Sequence, residues 1–290
     1  MTKKVFEVKD LSFTYQKHGV KAVKSVSFDI EEGEIFGLLG PSGAGKSTTQ
    51  KILTRLLKNY EGKIHYMGKD FSKYGNDFYE HIGVGFELPV HFSKLSGMEN
   101  MRFFQNLYDS KADIEALMKR VGLFEDKDRL VAEYSKGMKM RLNFVRAMLN
   151  NPKVLFLDEV TNGLDPKNAK IIKDLIREFK EGGGTVLLST HLMNDVEELC
   201  DRVAFISKGE IREISTPKAL KMKYGKRELR VEYKDEDSVK LEVFDLDTIS
   251  ENESFLTLVK NNAIETMHSG ETTMDDIFIR VTGDTFDEDA

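Results

Sequence analysis

The sequence predicts an α/β fold, a doubly wound and largely parallel sheet with helices on its faces, followed by a small α+β unit. Three observations carry this expectation. The apolar run "EIFGLLG" leads into the glycine-rich "GPSGAGKST" and then a helical pattern, the strand–loop–helix order of a phosphate-binding unit. "KVLFLDEV" and "GTVLLST" are continuous apolar runs, as found in strands buried on both faces of a parallel sheet. Helical stretches separate these runs, and alternating strands and helices wind into such a sheet, with ligands at the C-terminal strand ends.

Each element follows from its local pattern. "VFEVKDLSFTY" and "KAVKSVSFDI" alternate apolar and polar residues, as half-buried antiparallel strands do. "STTQKILTRLLKN" is an expected helix with Ile52, Leu53, Leu56 and Leu57 on one face, and "EGKIHYMGKD" a short strand and turn. Residues from about 88 to 150 read as helices in "SGMENMRFFQNLYD", "ADIEALMKRVGL" and "SKGMKMRLNFVRAMLNN". After "KVLFLDEV" comes a helix with Asp165 as N-cap, Pro166 in its first turn and Gly182 at its end; Ile171, Ile172, Leu175, Ile176 and Phe179 form its apolar stripe. "GTVLLST" is the next strand and "RVAFISKGEI" a hairpin. The main domain is expected over residues 1–220. In the extension, 221–283, "ELRVEYK" and "KLEVFDL" read as strands, "ESFLTLVKNN" and "TMDDIFIRVTG" as helices. The acidic end, 284–290, is expected to fray.

The 290 residues are 32% charged and 40% hydrophobic, the balance of a folded, soluble chain. A net charge of −6 shows no overall basic character, so nucleic acid is not an expected partner. No apolar run approaches about 18 residues, and the start, "MTKKVFEVKD", has no signal-peptide core. The single Cys200 suits a reducing compartment. Cytoplasm is the expected location; if the protein serves a membrane, the membrane-spanning part is another chain.

Gly40, Gly45, Lys46 and Ser47 fit Gly-x-x-x-x-Gly-Lys-Ser, with Pro41, Ser42, Gly43 and Ala44 as the loop between and Thr48 following. In such a loop backbone N–H groups wrap phosphates, the lysine reaches the β- and γ-phosphates, and the serine hydroxyl ligates Mg²⁺. The helix N-terminus adds its positive dipole end. A nucleoside triphosphate is the implied ligand. Asp158, at the C-terminal end of "VLFLDE", is placed to hold Mg²⁺, and Glu159 to accept a proton from an attacking water. Alone, such an acidic pair is an ordinary solvated strand end; a phosphate loop upstream reverses that reading.

The order of the remaining pieces, "YSKGMKMRL", then "NGLDP", then "LLSTH", resembles the ATP-binding-cassette (ABC) ATPases over about residues 3 to 220. The resemblance implies a P-loop NTPase core with an antiparallel β subdomain and a helical signature subdomain at about 88–150. Ser135 and Gly137 stand at the signature's serine and second glycine, while Tyr134, Lys136 and Met138 replace the usual leucine, glycine and glutamine. Asp165 falls in the D-loop and His191 at the switch-histidine position. Tyr15, aligned with Leu11 and Phe13, looks like the aromatic that stacks on adenine. The Asn-Lys-x-Asp motif of GTPases is absent, which favours ATP. The family's glutamine that contacts Mg²⁺ and the attacking water is replaced by Glu87, between Phe86 and Pro89; a carboxylate there binds Mg²⁺ more directly.

The resemblance further implies ATP and Mg²⁺ as cofactors and two cassettes, a homodimer or heterodimer, meeting head to tail. Ser135 and the start of its helix then face the γ-phosphate bound to the other copy. "YSKGMKMR" and "MDDIFIRVTG" look like the ATPase subunits of bacterial drug, antibiotic-peptide and lipid-linked exporters. This implies export through a separately encoded transmembrane permease, with this chain peripheral on the cytoplasmic face of the cell membrane and the permease's coupling helix received by the groove from Glu87 to Met101, where Lys94 and Glu99 lie. The alternative is a soluble ABC ATPase acting on ribosomes, nucleic acid or assembly. A single cassette and the lack of long coiled coils weaken it, and retention of Glu159 and His191 argues against a sensor without turnover.

Overall fold

The N-terminal alternation places Val5, Phe6, Val8, Leu11 and Phe13 inside a computed structural model that describes residues 3–17, 19–88, 90–109, 111–225, 227–235 and 238–284. β1 (Lys4–Tyr15) pairs antiparallel with β2 (Val20–Glu31). β3 (Ile35–Leu39) is buried throughout and runs into the phosphate loop, which opens α1 (Lys46–Leu53). α1 is shorter than its sequence pattern. Arg55 takes a φ of 61°, so the helix ends at Leu53; Leu56 is exposed, whereas Leu57 packs against the core from beyond the helix. β4 (Glu61–Tyr66) pairs with β1 and turns into β5 (Lys69–Asp70) through Met67 and Gly68, both at positive φ, the two-residue turn that matches strand twist.

α2 (Asp77–His81) and β6 (Ile82–Gly85) were not marked by periodicity, being too short. The helical region follows as α3 (Gly97–Gln105), α4 (Ile114–Arg120) and α5 (Lys136–Ala147). α3 opens on a capping box: Ser96 Oγ accepts the Glu99 N–H and the Glu99 carboxylate accepts the Ser96 N–H. β6 lies so close to α5 that a Cβ on Gly83 would sit 1.9 Å from the Ala147 carbonyl oxygen, which accounts for a glycine inside a strand. Pro89 lies outside the described residues.

β7 (Val154–Asp158), α6 (Pro166–Glu181), β8 (Thr185–Thr190), α7 (Met193–Leu199), β9 (Arg202–Ser207) and β10 (Glu210–Ser215) complete the larger sheet. Its order is β10-β9-β3-β8-β7-β6, parallel except where β10 pairs with β9 through Lys208 and Gly209, both at positive φ. α6 carries the expected caps: Asp165 accepts the Asn168 N–H and the helix leaves at Gly182. The order β3-β8-β7 sets the phosphate loop, His191 and Asp158 side by side at the C-terminal strand ends. The β1 sheet and the parallel sheet share one core, in which Phe6 meets Phe156 edge-on at 5.8 Å and Phe28 stacks on Phe36 at 5.6 Å. Each such buried ring contributes about 1.5–3 kcal/mol.

A second unit, Pro217–Gly283, comprises α8 (Pro217–Tyr224), β11 (Arg227–Asp235), β12 (Ser238–Asp245), α9 (Glu253–Asn261), β13 (Ala263–Glu271) and α10 (Met274–Thr282). The boundary expected at residue 220 falls inside α8, because α8 packs on α10 and belongs with it. The sheet, β12-β11-β13, is antiparallel and covers a core of Leu229, Val231, Tyr233, Phe244 and Leu258. Of the acidic end expected to fray, residues 285–290 lie outside the described residues. Asp284 is held instead, accepting from Ser207 Oγ and from Lys208 Nζ at 2.6 Å. Among the described residues no helix is long and apolar enough to cross a membrane.

Candidate active site

The phosphate loop leaves no room for side chains on its inner side. A Cβ on Gly40 would lie 2.1 Å from the Ile206 carbonyl oxygen; Gly45 has φ 109° and its Cβ would lie 2.7 Å from the Ala22 carbonyl oxygen. The loop therefore threads against β9 and β2, while Ser42 and Gly43 are exposed on its outer side and Ala44 is buried beneath. Lys46 is 7% exposed. Its Nζ donates to the carbonyls of Gly40 at 2.6 Å and Pro41 at 3.1 Å, and stands 3.9 Å from Glu159 Oε1. Burial holds the Lys46 ammonium below its ordinary pKa, against the opposing pull of Glu159, Asp158 and Glu87 in decreasing order. A buried cation of this kind gains from an anion placed beside it. Ser47 is half-buried and Thr48 buried in the first turn of α1, whose N–H groups have no partner within the helix.

Tyr15 reaches this turn from β1. Its Oη lies 3.2 Å from Thr48 Oγ1, and its half-buried ring meets Phe13 edge-on at 5.0 Å.

The two carboxylates are fixed by groups the sequence reading did not single out. Asp158 accepts from Ser189 Oγ; Gln50 Nε2 donates to Ser189 Oγ at 2.9 Å and to the Leu157 carbonyl at 3.1 Å. Asp158 is thereby tied to α1 one turn beyond Ser47. Glu159 sits at φ 51°, a left-handed conformation that costs a non-glycine residue roughly 1–2 kcal/mol. Its N–H donates to the Ser189 carbonyl at 3.0 Å, and its carboxylate meets His191 Nδ1 at 2.9 Å and Thr190 Oγ1 at 3.3 Å. The turn thus aims Glu159 between Lys46 and His191. Just beyond, buried Asp195 accepts from Thr161 Oγ1 and pairs with Lys173 Nζ at 2.6 Å, bracing the segment after Glu159 against α6 and α7. A polar residue on the buried side of a helix, as Gln50 is, and hydroxyls closing an apolar strand, as Ser189 and Thr190 are, are the signals that mark such supports.

Glu87 is exposed, at the end of β6, within electrostatic reach of Lys46. Ser135 is exposed as the N-cap of α5, its Oγ accepting the Met138 N–H at 3.2 Å. Tyr134 is buried and donates to the Asp126 carbonyl at 2.7 Å. Lys136 lies across Gly163, where a Cβ would come 3.0 Å from its Nζ, and Gly137 faces Leu164. Asp165 is an exposed N-cap whose pKa is lowered chiefly by the hydrogen bond from the Asn168 side chain. The start of α5 and the "NGLDP" turn therefore form one exposed surface. Among the described residues no hydrogen bond or ion pair links this surface to Lys46 or Glu159.

Residues 23–162 match the sequence family described as ABC transporter, and residues 227–271 match the fluoroquinolone efflux ABC transporter C-terminal domain. The chain is 47% identical over 281 residues to a fluoroquinolones export ATP-binding protein of Mycobacterium tuberculosis, covering 96% of this chain and 93% of the relative. It is 36% identical over 208 residues to a lantibiotic transport ATP-binding protein of Streptococcus pyogenes, covering 71% and 89%. A solved ATP-binding subunit of an ABC transporter superposes with a TM-score of 0.69 at 28% identity, over 76% of this chain and 93% of that one. An ATP-binding cassette in a dimeric post-hydrolysis state with ADP and Pi gives 0.66 at 26% identity, over 73% and 98%. With a phosphate loop, an acidic strand end and a histidine brought together as above, and a likeness that runs nearly the whole chain, this protein belongs to the ATP-binding proteins of ABC transporters.

Proposed function

We propose that the chain, peripheral on the cytoplasmic face of a membrane, hydrolyses MgATP in a head-to-tail dimer and so drives export through a separately encoded permease. ATP hydrolysis itself follows from family membership. The observation that carries the site assignment is Glu159, buried at φ 51° between Lys46 and His191. Pro41 to Thr48 would cradle the phosphates and Tyr15 would meet the base. The residues present fit Mg²⁺: Ser47 and Asp158 offer hard oxygen donors beside a loop built for phosphate, with Glu87 as a further carboxylate nearby. When bound, Mg²⁺ neutralises phosphate charge. Lys46 offsets charge on the transferred phosphoryl, Glu159 accepts the proton of the attacking water, and His191 holds that carboxylate in place.

The exposed surface from Ser135 to Met138, with Asp165, supplies in trans what one chain lacks. Glu159→Gln is expected to lower turnover by about 10²- to 10⁴-fold and to leave an ATP-dependent dimer visible by light scattering. Adding Ser135→Arg should return it to monomer. A Glu159→Gln chain that stays monomeric with saturating ATP, or a Ser135→Arg chain that hydrolyses normally, overturns the reading.

The segments after Glu87 present Leu88, Val90, Phe92, Phe103 and Leu107 to solvent, an apolar surface suited to a permease helix. The named relatives and structures are transporter components, which gives the soluble-factor reading no support. Two separate matches, the whole-chain relative and the C-terminal domain, point to fluoroquinolone-type drugs as the exported class.

A further inference from the structure

We propose that β12 is a self-pairing edge, through which two copies of this chain join antiparallel without nucleotide. Among the described residues β12 has a strand neighbour on one side only, and its register with β11 runs unbroken from Glu228↔Asp245 to Asp235↔Ser238. Free edges are ordinarily blunted by proline, a bulge or charged side chains; β12 has no proline and no bulge, and its central charges, Lys240 and Glu242 on the face of Phe244, are of opposite sign. Phe244 points into the core, whereas Val239, Leu241 and Val243 share the opposite face and are 59%, 56% and 50% exposed. The other edge, β13, shows one large exposed apolar side chain among its described residues, Met267.

The occupant is identified by the order of residues. Turned about a twofold axis at Leu241, "VKLEV" is complementary to itself: Val239 falls opposite Val243, Leu241 opposite its own copy, and Lys240 opposite Glu242 at both ends. An isologous contact requires this self-complementarity, and opposite charges directly across a strand pair are favourable where like charges are not. The Tyr233 hydroxyl donates to Glu242 at 2.8 Å, holding that carboxylate on the strand in advance. Two short strand edges bury less than about 1,000 Å², so the association is weak and concentration-dependent. It uses no residue of the nucleotide site.

Sedimentation of the full chain with chelator and no nucleotide, from about 1 to about 500 µM, tests this. The expected mass rises from monomer to dimer across the range. Leu241→Lys and Lys240→Glu should each stay monomeric with unchanged ATPase rate, since the first sets two ammonium groups on the axis and the second sets Glu against Glu twice. Lys240→Glu combined with Glu242→Lys restores both pairs and should restore the dimer. A wild-type chain monomeric throughout, single variants that dimerise like wild type, or a charge-swapped chain no better than Lys240→Glu would each overturn the proposal. So would β12 amides protected from deuterium only when the permease is present, which would assign the edge to a membrane partner.

Discussion

Glu159 shows how much of this site rests on single residues. Its left-handed backbone is tolerated because the N–H is caught by Ser189 and the carboxylate by Thr190 and His191, so several weak contacts outweigh the local strain. The residue types at Lys46, Asp158, Glu159 and His191 were legible in the sequence because each sits in a short motif whose spacing is set by local backbone geometry. Gln50, Ser189, Thr161 and Asp195 were not, since their partners lie far away along the chain. Glu87 differs again, being exposed yet felt by Lys46. Under the proposed role of Glu87 as a carboxylate beside Mg²⁺, replacing it with glutamine should raise the Mg²⁺ concentration for half-maximal ATPase by about two- to fivefold, the size of a screened surface interaction. An unchanged Mg²⁺ titration would show that Glu87 serves only solvent.

At the scale of elements, α5 links the exposed apolar stretch after Glu87 to the exposed surface at its own N-terminus. Asn143 Nδ2 donates to the Phe86 carbonyl and Arg146 to the Val90 carbonyl, both at 2.7 Å, and His91 Nε2 lies 3.2 Å from the Lys139 carbonyl. Arg146 also stacks over Phe86 and Phe104. Burial, with the nearby charges of Arg146 and Lys139, lowers the His91 pKa from 6.5 to about 4, while its contact to the Lys139 carbonyl opposes the shift. His91 Nδ1 is buried without a hydrogen-bond partner among the described residues, so a second ring proton would have no acceptor. The unfolded chain therefore binds more protons between these values. Stability should fall as pH drops from 6.5 towards 4. Urea midpoints at pH 7 and pH 5 check this: His91→Gln should lose less between the two pH values than wild type, and equal losses would remove His91 from the account.

Long, strongly periodic elements such as α5 and α6 were readable. β6, α7, α8 and β13 were not, because they are short or have no one-sided apolar pattern. β13 is a strand because β11 pairs with it, and α1 stops at Leu53 because the backbone reverses there.

For the whole molecule, coupling to a permease is the property to test. Glu99 is a poor probe of the groove, since its carboxylate closes the α3 capping box and Glu99→Lys should cost about 1 kcal/mol of stability. Lys94 is exposed and separates the two effects. Under the proposed drug-export role, Lys94→Glu should keep basal ATPase near wild type while cells expressing the transporter accumulate more of a fluoroquinolone probe. Equal loss of both activities would mean that the groove does not transmit.

The sequence by itself determined the strand–loop–helix chemistry, the buried parallel strands and the family, because these depend on residues a few positions apart. Only the tertiary structure decided that His191 meets buried Glu159 beside buried Lys46 while Ser135 and Asp165 face outward. It also decided that Pro217 rather than residue 221 opens the second unit. Sheet order and close packing bring residues more than a hundred positions apart within hydrogen-bond reach, and no local spacing encodes that meeting.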